Sequence, residues 1–209
     1  MHKRILFLLW STAFLWNCGN EPISTSDNDD KAQKTLLFAK ELHERFQLTK
    51  EGLPFFKLAQ KLDPKSFKTN GDLGVIYLTL NEKQEALKYL TKALKINPTS
   101  IETNEHLGNI YFSLDQYGIS LKFLEKAEKL INLRIKKFPR TPKFTLDEFS
   151  KKLSKIYSIA SIAADAISDG KKSIKYTKKA YKEYLNIKDF RNASIAKIQL
   201  EKLRLKYIN

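Results

Sequence analysis

Few side chains in this sequence carry reactive chemistry, and their spacing limits what they can do. The histidines are His2, His43 and His106, and the single cysteine is Cys18. One thiol excludes an intrachain disulfide and any multi-cysteine metal site. His43 and His106 belong to no ligand set, and packing is the expected role of His43. The sequence has no HExxH pair, no glycine-rich phosphate loop and no serine-centred elbow. Asp27, Asp29 and Asp30 cluster in a polar stretch, where acids are solvated. Asp165 is the one acid inside an apolar helical pattern, and a place at the solvent edge or beside a lysine is expected for it. No catalytic residue, metal or cofactor is expected, so the chain reads as a non-enzyme.

Cys18 sits in an informative context. Lys3 and Arg4 precede an apolar run over residues 5–16, ILFLLWSTAFLW, which ends at Asn17-Cys18-Gly19. The run has the length of a signal-peptide core and is too short to span a bilayer comfortably. This arrangement resembles the lipobox of bacterial lipoproteins. Leu15 matches the apolar residue usual three places before the cysteine. Asn17 stands where Gly, Ala or Ser is usual, and Trp16 is bulkier than the common pattern. The resemblance implies cleavage after residue 17 and lipid attachment at the Cys18 sulfur, where a thioether to diacylglycerol requires a thiol. It also implies a lipid-anchored, extracytoplasmic protein of the bacterial cell envelope, on the outer membrane by preference. Residues 1–17 are then the signal peptide and 18–30 a flexible tether, too polar to bury a core.

Composition describes the body behind the tether. Hydrophobic residues make up 42% and charged residues 29%, which fits a helical domain with a charged surface. The net charge is +15. Of the 38 basic residues only six are arginine, and that argues against forked phosphate recognition, so no nucleic-acid partner is expected. Attraction to an anionic surface is the functional alternative to a merely solvated lysine face. From residue 143 onward sixteen Lys and Arg stand against seven Asp and Glu, which concentrates the basic bias at that end.

The elements that would position any site follow a 34-residue period. Leu73-Gly74, Tyr77, Ala86, Ala93 and Pro98 recur one period later as Leu107-Gly108, Tyr111, Ser120 and Ala127. One period earlier the matches are Gly52, Phe56, Ala59 and Pro64. These spacings resemble the tetratricopeptide (TPR) repeat family. The implied fold is all-α: an α-solenoid of helix-turn-helix repeats over about 33–66, 67–100 and 101–134, within a repeat region 31–142. The first repeat departs from the pattern, with Ala39-Lys40 for the Leu-Gly pair and His43 for the tyrosine. Asn132 replaces the usual proline, so the second helix of repeat three can run to about Lys137, until Pro139 and Pro142 break it.

The first helix is expected over 31–47. Past Pro142 the pattern fades into a degenerate TPR-like pair and a capping helix, within 143–209. Thr145 to Glu148 reads as a capping box opening a helix to about Ser168, and Gly170 as its C-terminal cap. A second helix over 171–187 keeps small residues at Ser173 and Ala180, and residues 189–208 form an amphipathic terminal helix.

Family geometry implies a groove lined by the first helix of each pair. Projected onto this sequence it comprises Leu37, Glu41 and Glu44, then Gly71, Val75 and Leu78, then Glu105, Asn109 and Phe112. The mixed acidic and apolar lining implies a protein or peptide partner with apolar anchors and basic residues, so the chain reads as an interaction scaffold or assembly adaptor. A pilotin-like envelope-assembly role, or binding of anionic polymers by the basic C-terminal half, are the alternatives. The oligomeric state stays open.

Overall fold

A computed structural model describes residues 25–138 and 142–208. The expected signal peptide and Cys18 lie outside the described residues. Among the described residues all regular structure is helical: α1 (Thr25–Glu44), α2 (Thr49–Leu62), α3 (Phe67–Thr79), α4 (Lys83–Ile96), α5 (Ile101–Ser113), α6 (Tyr117–Lys137), α7 (Lys143–Ala166), α8 (Gly170–Asn186) and α9 (Phe190–Tyr207). Antiparallel pairs α1/α2, α3/α4, α5/α6 and α7/α8 stack in chain order, and α9 packs on α8. The result is the expected α-solenoid. None of these helices is long and apolar enough to cross a membrane.

Two short turns generate the stacking. Within each pair the first helix ends on a left-handed residue: Gln47, Asn81, Asp115 and Ser168, with Lys188 doing the same between α8 and α9. After Gln47 the Leu48 N–H reaches back six residues, to Leu42 O at 2.8 Å. After all the others the next amide reaches back five residues to cap the helix, as in Glu82 N–H to Tyr77 O at 2.8 Å and Asp169 N–H to Ala164 O at 2.8 Å. This is the Schellman arrangement, made here without glycine. Between pairs, Ser66 and Ser100 cap the next helix by accepting from the Thr69 and Thr103 amides. Asn70, fully buried, donates to the carbonyls of Pro64 (3.0 Å) and Ser66 (2.7 Å), and Asn104 repeats the contact to Ser100 at 2.6 Å. The Ser66 and Ser100 carbonyls also accept the first helical amides, Asn70 N–H at 3.2 Å and Asn104 N–H at 3.3 Å, so each asparagine ties its own side chain to the N-cap residue of its helix.

The paired helices touch backbone to side chain. A Cβ added to Gly74 would lie 2.4 Å from Leu90 Cγ, and one added to Gly108 would lie 2.7 Å from Leu124 Cδ2. Leu90 and Leu124 are fully buried in the two apolar clusters that make up the core, each burial stabilising by about 1.5–3 kcal/mol. Beside the crossing, Tyr77 stacks on Tyr89 and Tyr111 on Phe123, both at 5.5 Å. In α7/α8 serines replace the small pair: buried Ser161 contacts Thr177 at 2.6 Å and the Ser173 carbonyl at 3.2 Å. There the stacked rings are Tyr157 and Tyr176.

Several expectations are corrected. Helix α1 starts at Thr25, ahead of Lys31, so the last part of the expected tether is helical; Asp27 in its first turn favours that end. It also stops at Glu44 rather than Gln47. Thr145 is not the N-cap: α7 begins at Lys143 with Pro142 as its N-cap residue, extended at φ −55° and ψ 147°. Gly170 is no C-terminal cap, since Ser168 holds the left-handed position. It opens α8 and is glycine because the Tyr207 ring sits 2.3 Å from where its Cβ would be. Asp165 does pair with a lysine, Lys206 at 2.8 Å, and accepts from Tyr207 Oη at 2.8 Å. The Lys206 bond holds its carboxyl below the usual range. Helix α9 packs on α8 as the last described element, and it exposes Phe190, Ile195, Ile198 and Leu205.

The crossing contacts make a paired prediction. Gly74→Ala forces Leu90 aside and should lower stability by about 1–3 kcal/mol. Gly118, with nothing within 4 Å of an added Cβ, should gain about 0.5–1 kcal/mol as alanine. Thermal melts of the two variants should therefore shift in opposite directions.

Candidate functional groove

The first helices α1, α3, α5 and α7 line one side of the stack. Between α3 and α5 lies an open cleft of about 240 Å³. Its walls are Phe67, Lys68, Gly71, Asp72 and Val75 on α3, and Glu102, Thr103 and His106 on α5 with Ser100 before it, with Leu90 reaching in from α4. Gly71 helps to make this space: nothing lies within 4 Å of an added Cβ.

Charge is arranged in steps across the helices. Lys40 on α1 pairs with Asp72 on α3 at 3.2 Å. Lys152 on α7 pairs with Glu102 on α5 at 3.1 Å and approaches Glu105 at 3.9 Å. Burial pushes the Asp72 carboxyl above its ordinary range, with Lys40 pulling the other way. Burial likewise raises Glu105 against the pull of Lys152 and Lys155. Burial also opposes ionisation of Glu102, but its own backbone amide and Lys152 outweigh it, and the carboxyl titrates below its usual range. His106 is pushed down by burial and by Lys152, which favours the neutral imidazole.

The residues projected from sequence separate into three groups. Gly71 and Val75 line the cleft directly. Glu105 lies half-buried near Lys152. Asn109 is half-buried with an Oδ1 that accepts no hydrogen bond, while Leu78 and Phe112 pack partly into the core clusters. Phe112 meets Tyr117 edge-on at 5.5 Å. On α1 the surface is open: Leu37 is 70% exposed, Glu44 is exposed, and Glu41 pairs along its own helix with Arg45 at 2.8 Å. Sequence reasoning missed Lys40, Asp72, His106 and Lys152. Lys40 could have been found, because a long cation in the glycine slot of the repeat must leave toward the groove. His43 fills the tyrosine slot as expected and places Nδ1 2.9 Å from Thr49 Oγ1, across the first turn.

Among the described residues no cluster of three His, Cys, Asp or Glu could hold a metal. The groove offers shape and carboxylates, which are the equipment of a binding surface.

The His106 shift sets a pH dependence. Its folded pKa is below the ordinary 6.5, so the unfolded chain binds the proton first and His106 removes stability as pH falls below about 6.5. Glu105 and Asp72, both raised, act in the opposite sense in the carboxylate range. His106→Gln should therefore flatten the decline of melting temperature just below pH 6.5 while leaving the more acidic limb unchanged.

Comparison with known proteins accords with this geometry. Tetratricopeptide-repeat family models match residues 69–100 and 101–132. No curated protein sequence matches the chain. Among solved structures, MamA from Desulfovibrio magneticus RS-1, residues 41 to the end, is similar at 16% identity with a TM-score of 0.57, over 86% of this chain and 98% of that one. A double mutant, MamA RS-1 ArsTM, is similar at 17% identity with a TM-score of 0.58, over 85% and 96%. A further MamA structure covers 88% and 94% at 18% identity and a TM-score of 0.55. At such identities the likeness concerns the fold, and it extends well beyond the two matched repeats. Residues 69–132 thus carry two consecutive tetratricopeptide repeats, and the helix pairs on either side continue the same all-α stack.

Proposed function

We propose that this chain is a lipid-anchored, extracytoplasmic scaffold of the bacterial cell envelope, held at the membrane through Cys18, whose groove captures a segment of a partner protein. A general role in protein–protein interaction follows from the repeat fold itself. The more specific reading is carried by the cleft between α3 and α5. Val75 and the Gly71 opening accept an apolar anchor, and Asp72 and Glu102 set carboxylates in the walls of the cleft. A segment carrying an apolar side chain beside a lysine or arginine satisfies both. The anchor reading is supported by the apolar run, the basic residues before it and the only thiol of the chain directly after it.

Crosslinking in cells, with mass spectrometry of the recovered protein, tests both halves. The mature N-terminal peptide should begin at Cys18 and carry lipid, and Cys18→Ser should release the protein from membranes. An unmodified peptide extending upstream of Cys18 would sink the anchor. One partner should crosslink to the groove, and Val75→Arg should reduce its capture by about tenfold or more without changing the melting temperature. Crosslinks to copies of the chain alone would contradict the adaptor reading.

A further inference from the structure

The second helices of the pairs turn a surface outward that differs in kind from the groove. On α2 Lys50, Lys57 and Lys61 are exposed beside one acid, Glu51, and on α4, α6 and α8 every exposed charged residue is Lys or Arg. Basic residues outnumber acids only 38 to 23 in the chain, so an unbiased draw would place several acids among them. The acids of α4, α6 and α8 are half-buried at the flanks and bonded. Glu85 pairs with Lys88, Glu125 with Lys172 and Glu128 with Lys179.

The lysines are also in register. Lys88 and Lys122 stand one 34-residue period apart, and Lys175 takes the same place when Ser173 is aligned with Ser120, its counterpart at the crossing. A second column runs through Lys61, Lys95, Lys129 and Lys182. The solenoid therefore carries ordered rows of ammonium groups along its outer face.

We infer that this outer face docks on an anionic phospholipid bilayer. Lysine suits a diffuse layer of headgroups, whereas nucleic-acid phosphates favour the arginine fork. The large apolar residues exposed on these helices are aliphatic, Ile96, Ile119, Leu133 and Leu185, which fit a headgroup boundary and offer no ring for bases to stack on.

Chain geometry adds a further argument, which rests on the Cys18 anchor proposed above. Helix α1 begins at Thr25, so the span from Cys18 reaches at most about 25 Å. Phe38 meets Phe55 in the antiparallel α1/α2 pair, and continuing that pairing sets Lys61 beside roughly residue 32, in the first half of α1. The Lys61 column thus lies along the edge from which the anchor departs. A short tether keeps that edge at high local concentration against the bilayer, where weak contacts add up.

The test uses the full chain purified from membranes and vesicles of phosphatidylcholine, with or without one part in three phosphatidylglycerol. An amine-labelling reagent should modify Lys95, Lys129 and Lys182 less on the anionic vesicles, and about 1 M salt should abolish the difference, since the Debye length is then ~3 Å. The triple change Lys95→Glu, Lys129→Glu and Lys182→Glu should lower binding to anionic vesicles by about a hundredfold, at roughly fivefold or more per lysine. The same reversal at Lys68, Lys151 and Lys155, exposed on the first helices, should lower it by less than about fivefold. Equal losses from the two sets, unchanged labelling, or a short oligonucleotide that outcompetes the vesicles would overturn the proposal. If the glutamate set fails to melt cooperatively, glutamines at the same positions keep the comparison, and the labelling needs no variant. Cys18→Ser should retain the preference for anionic vesicles. That preference without lipid on Cys18 would remove the anchor and leave the docking face, whereas lipid without the preference would do the reverse.

Discussion

The architecture depends on the distance between two helix backbones at Gly74 and Gly108. Each glycine lets the second helix of its pair approach until a leucine side chain fills the missing Cβ position. That approach brings Tyr77 to Tyr89 and Tyr111 to Phe123, and it sets where the next pair can stack. The serine caps and the buried Asn70 and Asn104 then fix the step from pair to pair. A groove exists because this step is repeated with one hand. Its width between α3 and α5 follows from Gly71, a second glycine with a different task, since it leaves space rather than closing it.

Much of this was legible because packing residues repeat with the period of the structure. Leu73-Gly74 and Leu107-Gly108 identify themselves, and the run of α6 to Lys137 follows from Asn132 in place of proline. What was not legible depends on contacts between distant segments. Gly170 looks like a cap from its neighbours, and only the Tyr207 ring explains it. Lys152 comes from beyond Pro142, where the repeat pattern fades, so its place over Glu102 and Glu105 had no local signal. The early start of α1 was hidden by residues 25–30, whose polar composition reads as tether although their acids suit a helix N-terminus.

The groove residues show how far projection from a family can go. Position along the repeat picked out Gly71 and Val75, which line the cleft between α3 and α5, because the side a helix presents is set by its period. It could not tell that Glu41 is engaged by Arg45 or that Leu37 stands in the open. Those outcomes depend on whether a neighbouring pair covers the residue, and among the described residues α1 has none before it. The energetic centre of the groove therefore lies between α3 and α5, where both walls are present and carboxylates lose enough water to shift.

The two faces use charge in opposite ways. Across the groove, cations and acids are matched, and Lys40–Asp72 and Lys152–Glu102 tie neighbouring pairs together. On the outer face the lysines of adjacent helices repel. With helices packed about 10 Å apart, that repulsion is only about 0.4 kcal/mol per pair in water, and a Debye length near 8 Å screens it further. The fold tolerates the rows for that reason. Against an anionic plane the balance changes, because every lysine facing it is attracted at once while the mutual repulsion stays screened. An arrangement nearly neutral for stability is thereby strongly asymmetric for binding, and it leaves the groove on the opposite side open to a partner.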